Sequence, residues 1–193
     1  MKIAVLILAA GSSTRMGTPK QILPVGNTTL LGTTIETALQ TKADKIYCVL
    51  GANAKTVEKS ISKYKIKTIS NSKYKSGLSF SIKAGIKHIT NKSYDAVLIL
   101  LGDQPFINTP YLNDMITTFK NDSTKITASN YNESPGVPAI IPKLYFNQLL
   151  ELQGDKGAKS FLNSNKTNTI LLKTTNLIDI DTEEDYLNYL KSL

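Results

Sequence analysis

Ile3-Ala4-Val5-Leu6-Ile7-Leu8 runs without a break into Ala9-Ala10-Gly11-Ser12-Ser13-Thr14-Arg15-Met16-Gly17-Thr18-Pro19-Lys20. The first six residues are continuously apolar rather than alternating, which is how a strand covered on both faces reads. Small and polar residues with two glycines follow, so the strand ends in a loop. Residues 96–101 repeat the pattern, and there the loop is Gly102-Asp103-Gln104-Pro105. Shorter apolar runs predict strands at 46–50, 66–69, 126–129, 139–141 and 170–172. Between them the spacing predicts helices over 30–41, 55–63, 78–89, 110–119, 144–152 and 156–162. A last helix is expected over 183–190, with Thr182 as N-cap and Asp185 three residues on. Strands alternating with helices mean an α/β fold: a mostly parallel central sheet, right-handed crossovers and helices on both faces. No repeat, linker or boundary interrupts the pattern, so residues 1–193 are expected to form one domain.

The composition narrows the function classes. Hydrophobic residues make up 41 % of the 193 positions and charged residues 20 %, a globular composition. One Cys and one His leave no intrachain disulfide and no Cys/His zinc site. The first apolar run is too short to span a bilayer and has only Lys2 as a charged lead, so it reads as a strand rather than a signal peptide. A cytoplasmic protein is expected. The net charge of +8 comes from 23 basic and 15 acidic residues. The lysines are spread along the chain, densest between Lys55 and Lys75, with few aromatics among them. That reads as a solvated face, and neither nucleic acid nor membrane is expected as a partner. Cys48 lies inside a strand and reads as core; His88 reads as a helix-end surface residue.

Ligands of open α/β sheets sit beyond the carboxyl ends of the strands, which directs attention to the loops after residues 8 and 101. In the first loop, small residues let backbone amides approach an anion. Arg15, the single arginine of the chain, adds a planar charged fork, and Lys20 adds a second cation. The spacing is neither a Walker loop nor a dinucleotide fingerprint. A phosphate-binding loop is expected; the alternative is a plain strand-to-helix turn with Arg15 and Lys20 solvated.

Leu8-Ala9-Ala10-Gly11-Ser12-Ser13-Thr14-Arg15-Met16-Gly17, followed by Lys20, Leu23 and Pro24, resembles the signature of nucleotidyltransferases. Within them it is most similar to the molybdenum-cofactor cytidylyltransferases. Asn71, Gly77-Leu78-Ser79, Ser81 and Gly85 continue the resemblance, as do Gly102-Asp103-Gln104-Pro105 and Asp179-Ile180-Asp181-Thr182-Glu183-Glu184-Asp185. Gly136-Val137-Pro138 has Val137 where the family has His. Gly154-Asp155-Lys156-Gly157-Ala158-Lys159 has Lys159 where it has Arg. Glu183 stands where the family's ending has Pro, and the Val137 and Lys159 departures fall in the half where the family holds its pterin.

The resemblance implies a Rossmann-like nucleotidyltransferase fold and transfer of CMP from CTP to molybdopterin. It implies a nucleotide site of Leu8, Ala9, Ala10, Gly11, Ser12, Ser13, Arg15, Lys20, Asn71, Gly77, Ser79, Ser81 and Gly102, with Arg15, Lys20 and Asp103 catalytic. Ser79 and Ser81 have a plainer alternative as helix caps. Such a transfer needs no enzyme nucleophile, only alignment and charge neutralisation, so Mg2+ is the expected cofactor. Asp103, at the end of a buried run, is the expected metal ligand. Asp181 is the second, as in relatives with a similar ending, with Asp179 as its competitor because alternation along an extended segment puts both on one side. Ala10 implies CTP over GTP, since a methyl narrows the base pocket. A molybdenum hydroxylase or its maturation factor is the expected protein partner. The alternatives are a guanylyltransferase, a sugar- or alditol-phosphate nucleotidyltransferase, and a non-catalytic cofactor-delivery protein.

Overall fold

In the computed structural model, which describes residues 1–154, 157–173 and 177–193, β1 (Ile3–Ala9) is an inner strand, third in order, of a seven-stranded sheet. Its neighbours are β4 (Lys45–Leu50) and β6 (Ala96–Leu101), both parallel to it. β5 (Lys67–Ser70) pairs with β4 at one edge. On the other side β8 (Ser134–Pro142) runs antiparallel to β6, followed by β7 (Ile126–Tyr131) and β9 (Thr169–Leu172). The fold is the mostly parallel, Rossmann-like α/β sheet that the sequence predicts.

The unbroken apolar run of β1 now has its reason. Ala4, Leu6 and Leu8 join one core layer with Ile82, Ile86 and Ile89 of α3 (Leu78–Ile89) and with residues of α5 (Phe146–Leu150) and α6 (Lys159–Ser164). Ile3, Val5 and Ile7 join the opposite layer with α1 (Leu30–Leu39), α2 (Ala54–Ser60) and α4 (Thr109–Asn121). Each fully buried Leu or Ile contributes roughly 1.5–3 kcal/mol. Gly85 lets α3 sit against β1: a Cβ there would lie 2.3 Å from Leu6 Cδ2. Cys48 is core as expected, its thiol pushed up to about 12 by burial.

Several boundaries differ from the sequence reading. The strand predicted at 139–141 is the nine-residue β8, which includes Pro135 and Pro138. Its first residues pair only with β7, beyond the end of β6, and a register shift falls between Ala128 and Ser129. Proline is tolerated where one side needs no ladder partner or at a bulge. The helix predicted over 144–152 is a 3-10 turn, Lys143–Tyr145, and then α5. For the helix predicted over 156–162, the described part is α6, and Asp155 and Lys156 lie outside the described residues. A small hairpin, β2 (Pro24–Val25) and β3 (Thr28–Thr29), follows the first loop. It packs with α7 (Glu183–Lys191) through Val25, Leu30, Ile180 and Tyr189.

Candidate active site

The loop after β1 is held from below by a residue the sequence reading passed over. Gln21 is buried, and its Nε2 donates to the carbonyls of Gly11 at 2.8 Å and Ala9 at 3.3 Å. Ser13 Oγ donates to Gln21 Oε1 at 3.3 Å and accepts from Lys20 N at 3.0 Å. Ser13 (φ 53°) and Gly17 (φ 66°) both take the left-handed conformation, and Met16 N closes a turn on the Ser13 carbonyl at 3.1 Å. The one hint in sequence was a polar residue between Lys20 and Ile22, in a stretch otherwise turning apolar.

Lys20 is the centre of the charge arrangement. Its Nζ lies 2.6 Å from Asp103 Oδ2 and 2.7 Å from Asp181 Oδ1, and donates to the Ile180 carbonyl at 3.1 Å. Burial by itself would lower the Lys20 pKa, but the Asp103 and Asp181 carboxylates outweigh it and hold the ammonium above its ordinary value. Arg15, largely exposed, donates to Asp181 Oδ2 at 3.2 Å. Residues 15, 20, 103 and 181, up to 166 positions apart, thus meet at the carboxyl ends of β1 and β6.

Asp181 reaches this place because it is not needed as a cap. Thr182 caps α7, accepting from Asp185 N, while Asp185 accepts from Thr182 N in a reciprocal box. The extended approach expected at 177–180 forms no strand. Ile180 N instead donates to the Asp103 carbonyl at 2.9 Å, and the two flanking aspartates part company. Asp179 Oδ1 accepts from Gln104 Nε2 at 2.7 Å and forms no ion pair with Lys20. The sequence argument put Asp179 and Asp181 on one side; without a ladder to impose alternation, they have different partners.

A crevice of about 530 Å3 opens over this cluster, lined by Leu8, Ala9, Ala10, Gly11, Ser13, Arg15, Lys20, Gly102, Asp103 and Asp181 among others. Ser12 is exposed but off its wall. Asn71, Gly77, Ser79 and Ser81 are buried and are not on its lining. Asn71 Nδ2 donates to Ser81 Oγ at 3.0 Å and Asn71 Oδ1 accepts from Lys73 N, so both side chains tie the start of α3 to the turn before it. Ser79 Oγ, by contrast, is buried with no hydrogen-bond partner among the described residues, and neither Ser79 nor Ser81 caps α3.

Beside the crevice lies an apolar cavity of about 280 Å3, sharing Leu8, Leu78 and Leu101 with it. Its other walls include Ile82, Tyr131, Gly136, Val137, Lys159 and Leu162. Val137 and Lys159, two of the residues that depart from the family signature, both line it.

Asp103 also offers donor chemistry for a hard cation. Its Oδ1 is buried with no hydrogen-bond partner among the described residues. Two carboxylates, with phosphate oxygens completing the shell, is the donor set magnesium takes. No cluster of three or more His, Cys, Asp or Glu is placed to hold a metal among the described residues.

A model of the MobA-like NTP transferase domain matches residues 5–169. The purine catabolism protein PucB of Bacillus subtilis (strain 168) is 25 % identical over 197 residues, covering 94 % of this chain and 92 % of that protein. The molybdenum cofactor cytidylyltransferase of Escherichia coli (strain K12) is 27 % identical over 184 residues, covering 94 % and 92 %. The crystal structure of Rv0371c from Mycobacterium tuberculosis H37Rv in complex with manganese has a TM-score of 0.83 at 26 % identity, covering 100 % of both chains.

Proposed function

The chain belongs to the MobA-like NTP transferase family, and on that premise we propose that it transfers CMP from CTP to the phosphate of molybdopterin. The products are molybdopterin cytosine dinucleotide and pyrophosphate. The observation that carries the reading is Lys20 held between Asp103 and Asp181 at the mouth of the small-residue loop.

The chemistry follows from that arrangement. A phosphate oxygen of the acceptor attacks the α-phosphorus of CTP, the α–β bridging P–O bond breaks, and pyrophosphate leaves. The acceptor is already anionic, so the residues here have to align and neutralise rather than activate a nucleophile. The amides of residues 11–17 cradle the triphosphate, with Arg15 and Lys20 countering its charge. Asp103 and Asp181 would hold a divalent ion, expected to be Mg2+, whose contribution would be to neutralise the triphosphate and offset charge on the leaving pyrophosphate. The crevice takes the nucleotide and the adjoining apolar cavity takes the pterin. The similarity to the Escherichia coli enzyme supports the acceptor, and the manganese complex of Rv0371c supports a divalent ion. Ala10, buried at the base of the crevice, supports cytosine over a purine, because its methyl occupies room a larger base needs.

The test is a panel of CTP, GTP, ATP and UTP with molybdopterin and Mg2+, read by pyrophosphate release and product mass. A cytosine dinucleotide as the main product is the expected result. Product with a sugar phosphate and none with molybdopterin would move the acceptor. Nucleotide binding without pyrophosphate release would leave a delivery protein.

A further inference from the structure

Behind Asp103 lies a polar cluster that the transfer chemistry does not use. Gln104 is 2 % exposed. Its Nε2 donates to Asp179 Oδ1 at 2.7 Å and to the Tyr131 hydroxyl at 2.9 Å. The Tyr131 hydroxyl in turn donates to the Val137 carbonyl at 2.6 Å. Both amide hydrogens are therefore spent, each on a different part of the molecule. One holds the segment that continues through Ile180 to Asp181. The other holds Tyr131 and Val137, two walls of the apolar cavity. Gln104 directly follows Asp103, so all of this is referred to the turn that carries the metal carboxylate.

We propose that Gln104 is a positioning residue that fixes the Asp179–Asp181 segment and the Tyr131–Val137 cavity wall in one geometry relative to Asp103. The acceptor half of this inference rests on the cavity being the acceptor site. The residue type fits the task. A neutral amide supplies two diverging donors, whereas an ionised Glu supplies none and Asn is a methylene shorter. Removing the donors would leave the Asp179 carboxylate and the Tyr131 hydroxyl to find new partners, which lets both segments shift. In-line attack is sensitive to such shifts: a displacement of about 1 Å costs on the order of 100-fold.

The test uses Gln104→Met, which keeps the length and loses both donors, Gln104→Glu, and the double variant Gln104→Glu/Asp179→Asn. Measured for each are kcat and acceptor KM with CTP and molybdopterin, CTP affinity, Mn2+ affinity in the presence of CTP by electron paramagnetic resonance, and thermal melting. In Gln104→Met, kcat should fall about 30- to 100-fold with a raised acceptor KM, as misalignment predicts. Mn2+ should bind about 10-fold more weakly as Asp181 loosens, while CTP affinity stays within about threefold. Gln104→Glu sets one carboxylate against another and should lose more. The double variant restores a donor–acceptor pair with its ends exchanged and should recover most of that loss. The proposal is overturned if Gln104→Met leaves acceptor KM and Mn2+ affinity within about threefold of wild type. It is also overturned if CTP affinity and melting temperature fall together while acceptor KM rises, the mark of a purely structural residue. If the wild type makes no product with molybdopterin, the acceptor reading fails. The Mn2+ affinity of Gln104→Met then still decides the inference, a fall supporting it and no change overturning it.

Discussion

The crevice around Lys20 and the cavity beside Tyr131 share Leu8, Leu78 and Leu101 on their walls, yet they are built by different rules. The crevice uses charge. Three of its four charged residues stand right after strands or inside the first loop, where backbone geometry already directs them. The cavity uses shape, assembled from the ends of β1 and β6, the start of α3, the β7–β8 hairpin and α6. Of the departures from the family signature, Val137 and Lys159 fall on the cavity, Glu183 lines neither region, and none falls on the crevice wall. The difference teaches where variation is tolerated. Neutralising a triphosphate demands particular groups, whereas an apolar wall accepts any residue that keeps the volume and leaves no polar atom stranded.

That contrast can be broken at its strongest point first. Asp103→Asn should lower turnover on the order of 10^3-fold or more while the protein still melts cooperatively, because a charged oxygen ligand is lost without loss of volume. Steady-state rates at saturating Mg2+ check this, and activity within a few-fold of wild type would remove Asp103 from the site. Next is Lys20→Met. Turnover should fall about 100-fold, since the phosphates lose a cation. Mn2+ without nucleotide should nonetheless bind about 10-fold more tightly, because the ammonium no longer competes for Asp103 and Asp181. Isothermal titration with Mn2+ alone separates the two effects, and unchanged or weaker binding would mean that Lys20 does not occupy the ion's place.

The two regions should also respond separately to smaller changes. Ala10→Gly should narrow the CTP-over-GTP preference by about 10-fold, the scale of one methyl in a pocket, and leave acceptor KM alone. Val137→His and Lys159→Arg should change acceptor KM by a few-fold, with CTP affinity unmoved. Competition kinetics with both nucleotides and an acceptor titration check these, and crossed effects would merge the two regions into one site.

The smallest expected effect concerns Asp179. Its pKa is raised, chiefly because packing strips water from the carboxylate, and the Asp103 and Asp181 charges add to this against the hydrogen bond from Gln104. A raised carboxyl pKa in the folded state means that ionisation opposes folding at neutral pH. The penalty fades as pH falls through the folded pKa and is gone below the unfolded value of about 3.9. Asp179→Asn keeps an acceptor for Gln104 and removes the charge. It should raise the melting temperature by about 1–2 °C near pH 7, with the gain vanishing toward pH 4. Differential scanning calorimetry across that range reads the sign directly, and a loss of stability at pH 7 would reverse it.

Much of this was legible in the chain before any fold was seen. The continuous runs at 3–8 and 96–101 read as strands covered on both faces, and their alternation with helical stretches pointed to an α/β sheet. The lone arginine, Lys20 and Asp103 announced themselves because charge chemistry restricts residue type locally, and a strand end places whatever follows it. Thr182 and Asp185 marked the start of the last helix for the same reason: a cap is made within four residues.

What tertiary structure decided were the partners. Gln21 and Gln104 are ordinary amides in sequence, and their importance comes from burial, which obliges each N–H to find an acceptor wherever the chain returns. For Gln104 that acceptor lies 75 positions away. The separation of Asp179 from Asp181 was likewise not a matter of alternation. Ile180 binds the Asp103 carbonyl in place of any strand neighbour, and that single contact turns one carboxylate to Lys20 and leaves the other to Gln104. Local chemistry selects which residues a site requires. Only the packing of distant segments selects which of two equal candidates arrives.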